Sequence, residues 1–133
     1  MTLTLPSTLD GVRAAVDAGD RWCVRGGVPD AIRRRVLTAL DEIVSNVVRH
    51  GDRDGGGTID VKFGGDEAMV LISVADTGPA FDPLSMPLPD TSAPLDARKA
   101  GGLGIALVRA LADDVRYERR DGRNHLSMTW RIS

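Results

Sequence analysis

At 133 residues, with 42% apolar and 27% charged side chains, the chain has the make-up of one globular domain that buries roughly two thirds of its unfolded surface without staples. A formal charge of −2 without a basic stripe speaks against a nucleic-acid partner; Cys23 alone excludes an internal disulfide, and the two histidines lie too far apart for a zinc-ligand spacing. No apolar run approaches a membrane span and the first residues carry no leader pattern, so a soluble, cytoplasmic protein without a membrane partner is expected.

In chain order, residues 2–5 alternate Thr and Leu before Pro6, the pattern of a short edge strand ended by a residue that cannot donate to the ladder. Ser7 and Asp10 form a loose capping box for a helix to about residue 24, carried by Leu9, Val12, Val16 and Cys23. Gly26 and Gly27 close it, and Pro29 is placed in the first turn of the next helix. That helix, over 31–50 with Gly51 as its stop, has the clearest period in the chain: Ile32, Val36, Ala39, Leu40, Ile43, Val44 and Val47 recur at three- and four-residue steps and share one face.

A polar connection over 52–57 leads to a half-buried strand in which Ile59, Val61 and Phe63 alternate with polar neighbours. Gly64, Gly65 and Asp66 predict the turn into a strand over 69–75, antiparallel to the first; it is apolar on both alternations and therefore reads as central and covered on both faces. Residues 78–100 lose all periodicity and hold Pro79, Pro83, Pro87, Pro89 and Pro94, a long loop that reads either as a functional lid or as disorder without function. A helix over 101–113 and two strands, 115–119 and 126–132, joined around Asp121-Gly122, complete the chain.

Three clusters carry chemistry. Glu42 and Asn46, one turn apart at the rim of the apolar stripe, suit a proton acceptor beside an oxygen ligand for a hard cation such as magnesium, although the same pair is also ordinary on a solvated helix face. Asp76-Thr77-Gly78 ends the apolar strand, where a carboxylate can accept from a ligand amino group and Gly78 admits a flat ring; it is equally a plain strand-ending turn. Gly101-Gly102-Leu103-Gly104 opens a helix, an anion site or a hinge and cap, with Arg98 and Lys99 before it to add charge.

In this order the three clusters resemble the GHKL, or histidine-kinase-like, ATPase superfamily. Asp41-Glu42-Ile43-Val44-Ser45-Asn46 with His50-Gly51 is similar to its N box, Asp76 to Pro83 to its first glycine box, and Gly101-Gly102-Leu103-Gly104 with Ala106-Leu107-Val108 to its second. The small size, the form of the boxes and the closing segment from Val115 to Asn124 are most similar to the anti-sigma-factor serine kinases of bacterial partner-switching systems. The resemblance implies an α+β fold, a two-layer α/β sandwich whose mixed, mostly antiparallel sheet is covered on one face by helices. It implies a single domain over 1–133 with an ATP lid at about 78–100.

By the same resemblance Glu42 is the general base toward a serine, Asn46 the magnesium ligand, Asp76 the partner of the adenine amino group and Gly78 the residue beneath the base. Gly101, Gly102, Leu103 and Gly104 would cradle the phosphates of ATP, with Arg98 or Lys99 meeting the γ-phosphate. Ala100 stands where such kinases often keep a lid arginine, and Asn124-His125 where they carry a Gly-Thr pair that supports adenine. The activity implied is phosphorylation of a serine on a small anti-anti-sigma-type antagonist, alternating with binding of a sigma factor or another regulator, in a protein whose relatives often form homodimers. Glu42 favours this branch, because histidine-kinase catalytic domains commonly carry an amide there. The alternative is an ATP-gated protein-binding module in which the nucleotide only orders the lid.

Overall fold

The computed structural model describes residues 1–50, 57–79 and 100–132, with side chains for all of these except residue 50 and residues 100–105. The elements run β1 (Thr2–Pro6), α1 (Leu9–Arg25), α2 (Asp30–His50), β2 (Thr58–Gly65), β3 (Met69–Asp76), α3 (Ala100–Leu111), β4 (Asp114–Arg120) and β5 (Arg123–Arg131). The strands form one five-stranded sheet in the order β1-β2-β3-β5-β4. All its pairings are antiparallel, so the mixed sheet expected above is corrected to a wholly antiparallel one among the described residues.

The first helix is capped by Thr8, not Ser7: the Thr8 backbone is extended and its hydroxyl accepts from the Gly11 N–H at 3.2 Å. Pro6 shifts the start by one residue, because its carbonyl takes the Thr8 N–H and turns the chain before the helix begins. At the other end Gly27 sits at φ 68, the Val28 N–H reaches the Cys23 carbonyl and the Gly27 N–H reaches the Val24 carbonyl. This is a Schellman closure, and it turns the chain sharply into α2. Pro29 lies just before α2 rather than within its first turn, and its carbonyl accepts the first helical bond from the Arg33 N–H at 2.9 Å.

The apolar stripe of α2 is buried as its period requires. Val36, Ala39, Leu40, Ile43 and Val44 lie in the core, and Ile32 and Val47 pack at its margin. Ile59, Val61 and Phe63 of β2, Val70, Ile72 and Val74 of β3, and Leu126, Met128 and Trp130 of β5 meet the helices from the sheet side. Gly19 permits the close approach of α1, since a Cβ there would stand 2.9 Å from a Leu40 methyl group.

The strand read as covered on both faces is central but covered on only one. Leu71 and Ser73, on the alternate face, remain half-exposed, because all three helices are on the other side of the sheet. Asp121 and Gly122 form a two-residue turn with φ 54 and φ 73, as a type I′ hairpin demands. So tight a turn leaves no slack, and β5 therefore starts at Arg123 instead of residue 126. In the same way Gly64 and Gly65 belong to the β2–β3 ladder, leaving the turn to residues 66–68.

On the uncovered face Asp60 accepts from the Thr4 hydroxyl at 2.7 Å and from Arg123 at 2.6 Å, joining three strands across Ala75. The Thr4 hydroxyl first, and then the Arg123 guanidinium, hold the Asp60 carboxyl below the usual carboxylate range. Because the folded value is the lower one, this stabilisation is complete above the unfolded value of about 4 and is lost as pH falls through the folded value. Urea midpoints measured at about pH 7 and about pH 3 are expected to drop further in the parent than in Asp60→Asn. Equal drops would show that the carboxylate contributes nothing of this kind.

Candidate functional site

The register of the central strands brings the site together. Asp76, the last residue of β3, lies opposite Asn124 on β5, and Asn124 in turn lies opposite Arg119 on β4. Asp76 and Asn124 are both 8% exposed. The Asp76 Oδ2 accepts the Gly78 N–H at 2.9 Å and the Asn124 Nδ2 at 3.3 Å. Asn124 Nδ2 also donates to the Pro79 carbonyl at 2.9 Å, Tyr117 Oη donates to Asn124 Oδ1 at 2.5 Å, and Arg119 donates to the Gly78 carbonyl at 2.8 Å. The hairpin of β4 and β5 thus holds the backbone that leaves β3. Sequence reasoning missed Arg119 because its partner Gly78 is 41 residues away, and Tyr117 because its bond to Asn124 depends on the register of the β4–β5 hairpin; it marked Asn124-His125 only as a departure. His125, the second member of that pair, lies on the opposite face with Ser73 and Ser127, beside a shallow depression of about 610 Å³ that includes none of the expected site residues.

On α2, Asn46 is 4% exposed and its Oδ1 is buried without a hydrogen-bond donor among the described residues. Such an orphan costs about 1–3 kcal/mol unless something fills it, which makes the atom a fit for an oxygen-seeking cation or an ordered water. Glu42, four residues earlier and so one turn away on the same side, is half-buried. α2 packs against both β3 and α3. Gly101, Gly102, Leu103 and Gly104 lie in the first turns of α3, and the earliest of them fall where helical N–H groups have no partner within the helix. Arg98, Lys99 and residues 80–99 of the lid expected at about 78–100 lie outside the described residues, as do Gly51 and residues 52–56 of the connection that follows it.

Residues 5–130 match the family model of the histidine kinase-like ATPase domain. The chain belongs to this family. Among its curated relatives, the serine/threonine-protein kinase BtrW of Bordetella bronchiseptica is 32% identical over 111 residues, 83% of this chain and 74% of BtrW. The serine-protein kinase RsbW of Bacillus thuringiensis is 32% identical over 88 residues, 63% of this chain and 55% of that kinase. Against RsbW proteins of Bacillus the chain therefore spans about half of their length. The solved structure of the RsbU and RsbW domains of Rv1364c from Mycobacterium tuberculosis shares the fold, with a TM-score of 0.69 at 21% identity over 99% of this chain and 32% of that one. An α+β ATPase domain of the histidine kinase-like family is thus the frame in which the buried Asn46, Asp76 and Asn124 side chains stand.

Proposed function

We propose that the chain is an ATP-dependent protein serine kinase and switch protein, with Asn46 and Asp76 as its nucleotide anchors and Glu42 as its base. The observation that carries this reading is the buried, unpartnered Asn46 Oδ1 on a helix that packs against β3, the strand whose last residue, Asp76, has its carboxylate held by the Gly78 N–H. An amide oxygen with no donor is what a hard cation takes as a ligand. Magnesium, when bound there, would neutralise phosphate charge.

The chain's own residues have separate parts. Asp76 would accept from the adenine amino group and Gly78 would lie beneath the ring, while the N-terminal turns of α3, Gly101 to Gly104, would donate N–H groups to phosphates. Arg98 or Lys99 would meet the γ-phosphate. The acceptor serine Oγ attacks the γ-phosphorus, the bond to the ADP oxygen breaks, and the serine proton passes to Glu42. The protein substrate is a small anti-anti-sigma-type antagonist, and between phosphorylation rounds the chain binds a sigma factor or a similar regulator, as a homodimer in the cytoplasm. Kinship with proteins named serine kinases supports this choice over a histidine kinase.

The test is to incubate the protein with labelled ATP, magnesium and each small protein encoded beside it, and to locate the label. Label on a serine of one such protein is the expected result. Tight ATP binding without transfer to any of them would instead make the chain an ATP-gated binding module.

A further inference from the structure

The face of the sheet that carries no helix holds the depression of about 610 Å³, and the nucleotide reading uses none of its lining. We infer that this depression is a second ligand site, for a small phosphorylated molecule held through its phosphate by Lys62, Ser73, Ser127 and Arg116. The inference does not rest on the nucleotide-site reading.

Strand register builds the row. Lys62 lies opposite Ser73, Ser73 opposite Ser127, and Ser127 opposite Arg116, so four strands set cation, hydroxyl, hydroxyl and cation side by side. At the usual strand spacing the backbones at the two ends stand roughly 14 Å apart, and the long stems of Lys62 and Arg116 let their heads lean inward over the serines. The floor is low because Ser73, Ala75 and Ser127 are small and stand between longer neighbours. Ser73 Oγ and Ser127 Oγ are 3.3 Å apart. One hydroxyl donates to the other, so the accepting hydroxyl keeps its own hydrogen for an acceptor outside the pair.

Charge decides the class of ligand. Lys62, Arg116 and Arg120 line the depression against two carboxylates, Asp60 and Glu118. Both carboxylates are engaged: Asp60 by the Thr4 hydroxyl and Arg123, and Glu118 by Arg120 at 3.7 Å. Arg116 reaches Asp114 through Nε, at 2.7 Å, which leaves its two Nη groups to other acceptors. Lys62 is exposed and has no carboxylate partner among the described residues. Arg123 Nε, on the same face, is a further donor without an acceptor among the described residues. Donors in excess over a hydroxyl floor fit an oxyanion, since the oxygens of one phosphate accept from a lysine, an arginine and a hydroxyl together. The depression has the size of small-molecule sites and exceeds what a bare ion fills, so the phosphate is that of an ester with an organic remainder.

The test is a two-dimensional NMR titration of inorganic phosphate and of glycerol phosphate into the nucleotide-free protein at constant ionic strength. Shifts of the Lys62, Ser73, Arg116 and Ser127 amides are expected to saturate, with a Kd of about 1 mM for the ester. Lys62→Gln changes an exposed side chain and should weaken this binding about tenfold. The double variant Ser73→Ala with Ser127→Ala should weaken it by a similar factor, and thermal midpoints on the same samples show that each variant folds. Phosphate can also reach the first turn of α3, but shifts there would be untouched by Lys62→Gln. Shifts confined to α3, a linear response without saturation along the row, or a parent-like Kd in both variants would overturn the inference. Broadening across the whole face that grows with protein concentration would make it a surface between copies of the chain, and would overturn it too.

Discussion

Glu42→Gln is expected to slow phosphate transfer to the acceptor serine about a hundredfold, while leaving Mg-ATP affinity within about twofold of the parent. The substitution keeps size and helix propensity on α2 and removes only the ability to take a proton. Glu42 is half-buried one turn from Asn46, so the glutamine changes neither the apolar stripe nor the Asn46 amide. General bases contribute about 10² to 10⁴ in rate, and the lower figure is chosen because a loose phosphoryl-transfer transition state depends more on positioning and charge neutralisation. Single-turnover transfer, with affinity measured on the same sample, separates the outcomes. Normal binding with transfer at the parent rate would remove Glu42 as the base.

The largest effect on stability is expected from Trp130→Ala, at about 3–5 kcal/mol. Trp130 is 1% exposed, lies opposite Val70 in the ladder, and belongs to the cluster that joins the sheet to the helices. Its indole Nε1 donates to the Leu111 carbonyl at 3.0 Å, tying the last residue of α3 to β5. Alanine would leave both a cavity and a helix-end carbonyl without that donor. Urea unfolding measures the loss directly, and for a domain of this size the thermal midpoint should fall by roughly 10–20 °C. A cost below about 1 kcal/mol would mean that α3 does not pack on the sheet as described.

The parts of the fold that were legible are those whose signal is local. The stripe from Ile32 to Val47 has a period that only a helix can bury on one side, and Asp121-Gly122 supplies the two positive φ values of a tight hairpin. β3 is legible as central, and its apolar second face reads as covered, but of the apolar residues there Ala75 is buried while Leu71 is half-exposed and Met69 exposed. Apolarity there is tolerated beside Ser73 and Ser127, and composition cannot separate tolerance from burial. The N-cap was misplaced by one residue since Ser7 and Thr8 have equivalent hydroxyls and the decision falls to the Pro6 carbonyl.

The site divides in the same way. Glu42 with Asn46 and Asp76 with Gly78 are short-range pairs, visible as spacing. The orphaned state of Asn46 Oδ1 is a property of its surroundings, and the contact of Asn124 with Asp76 spans 48 residues and depends on strand register. Neither could be read before the sheet order was known. The order β1-β2-β3-β5-β4 is itself hidden, since β5 rather than β4 takes the place beside β3.

The central claim is that Asn46 and Asp76 anchor a magnesium-bound adenine nucleotide. It is tested most directly by calorimetric titration of adenosine diphosphate into the parent, Asn46→Ala and Asp76→Asn, each with and without magnesium. The parent should bind about tenfold or more tightly with the metal, Asn46→Ala should lose that gain, and Asp76→Asn should bind weakly in both conditions. Parent-like affinity and parent-like metal dependence in both variants would contradict the account.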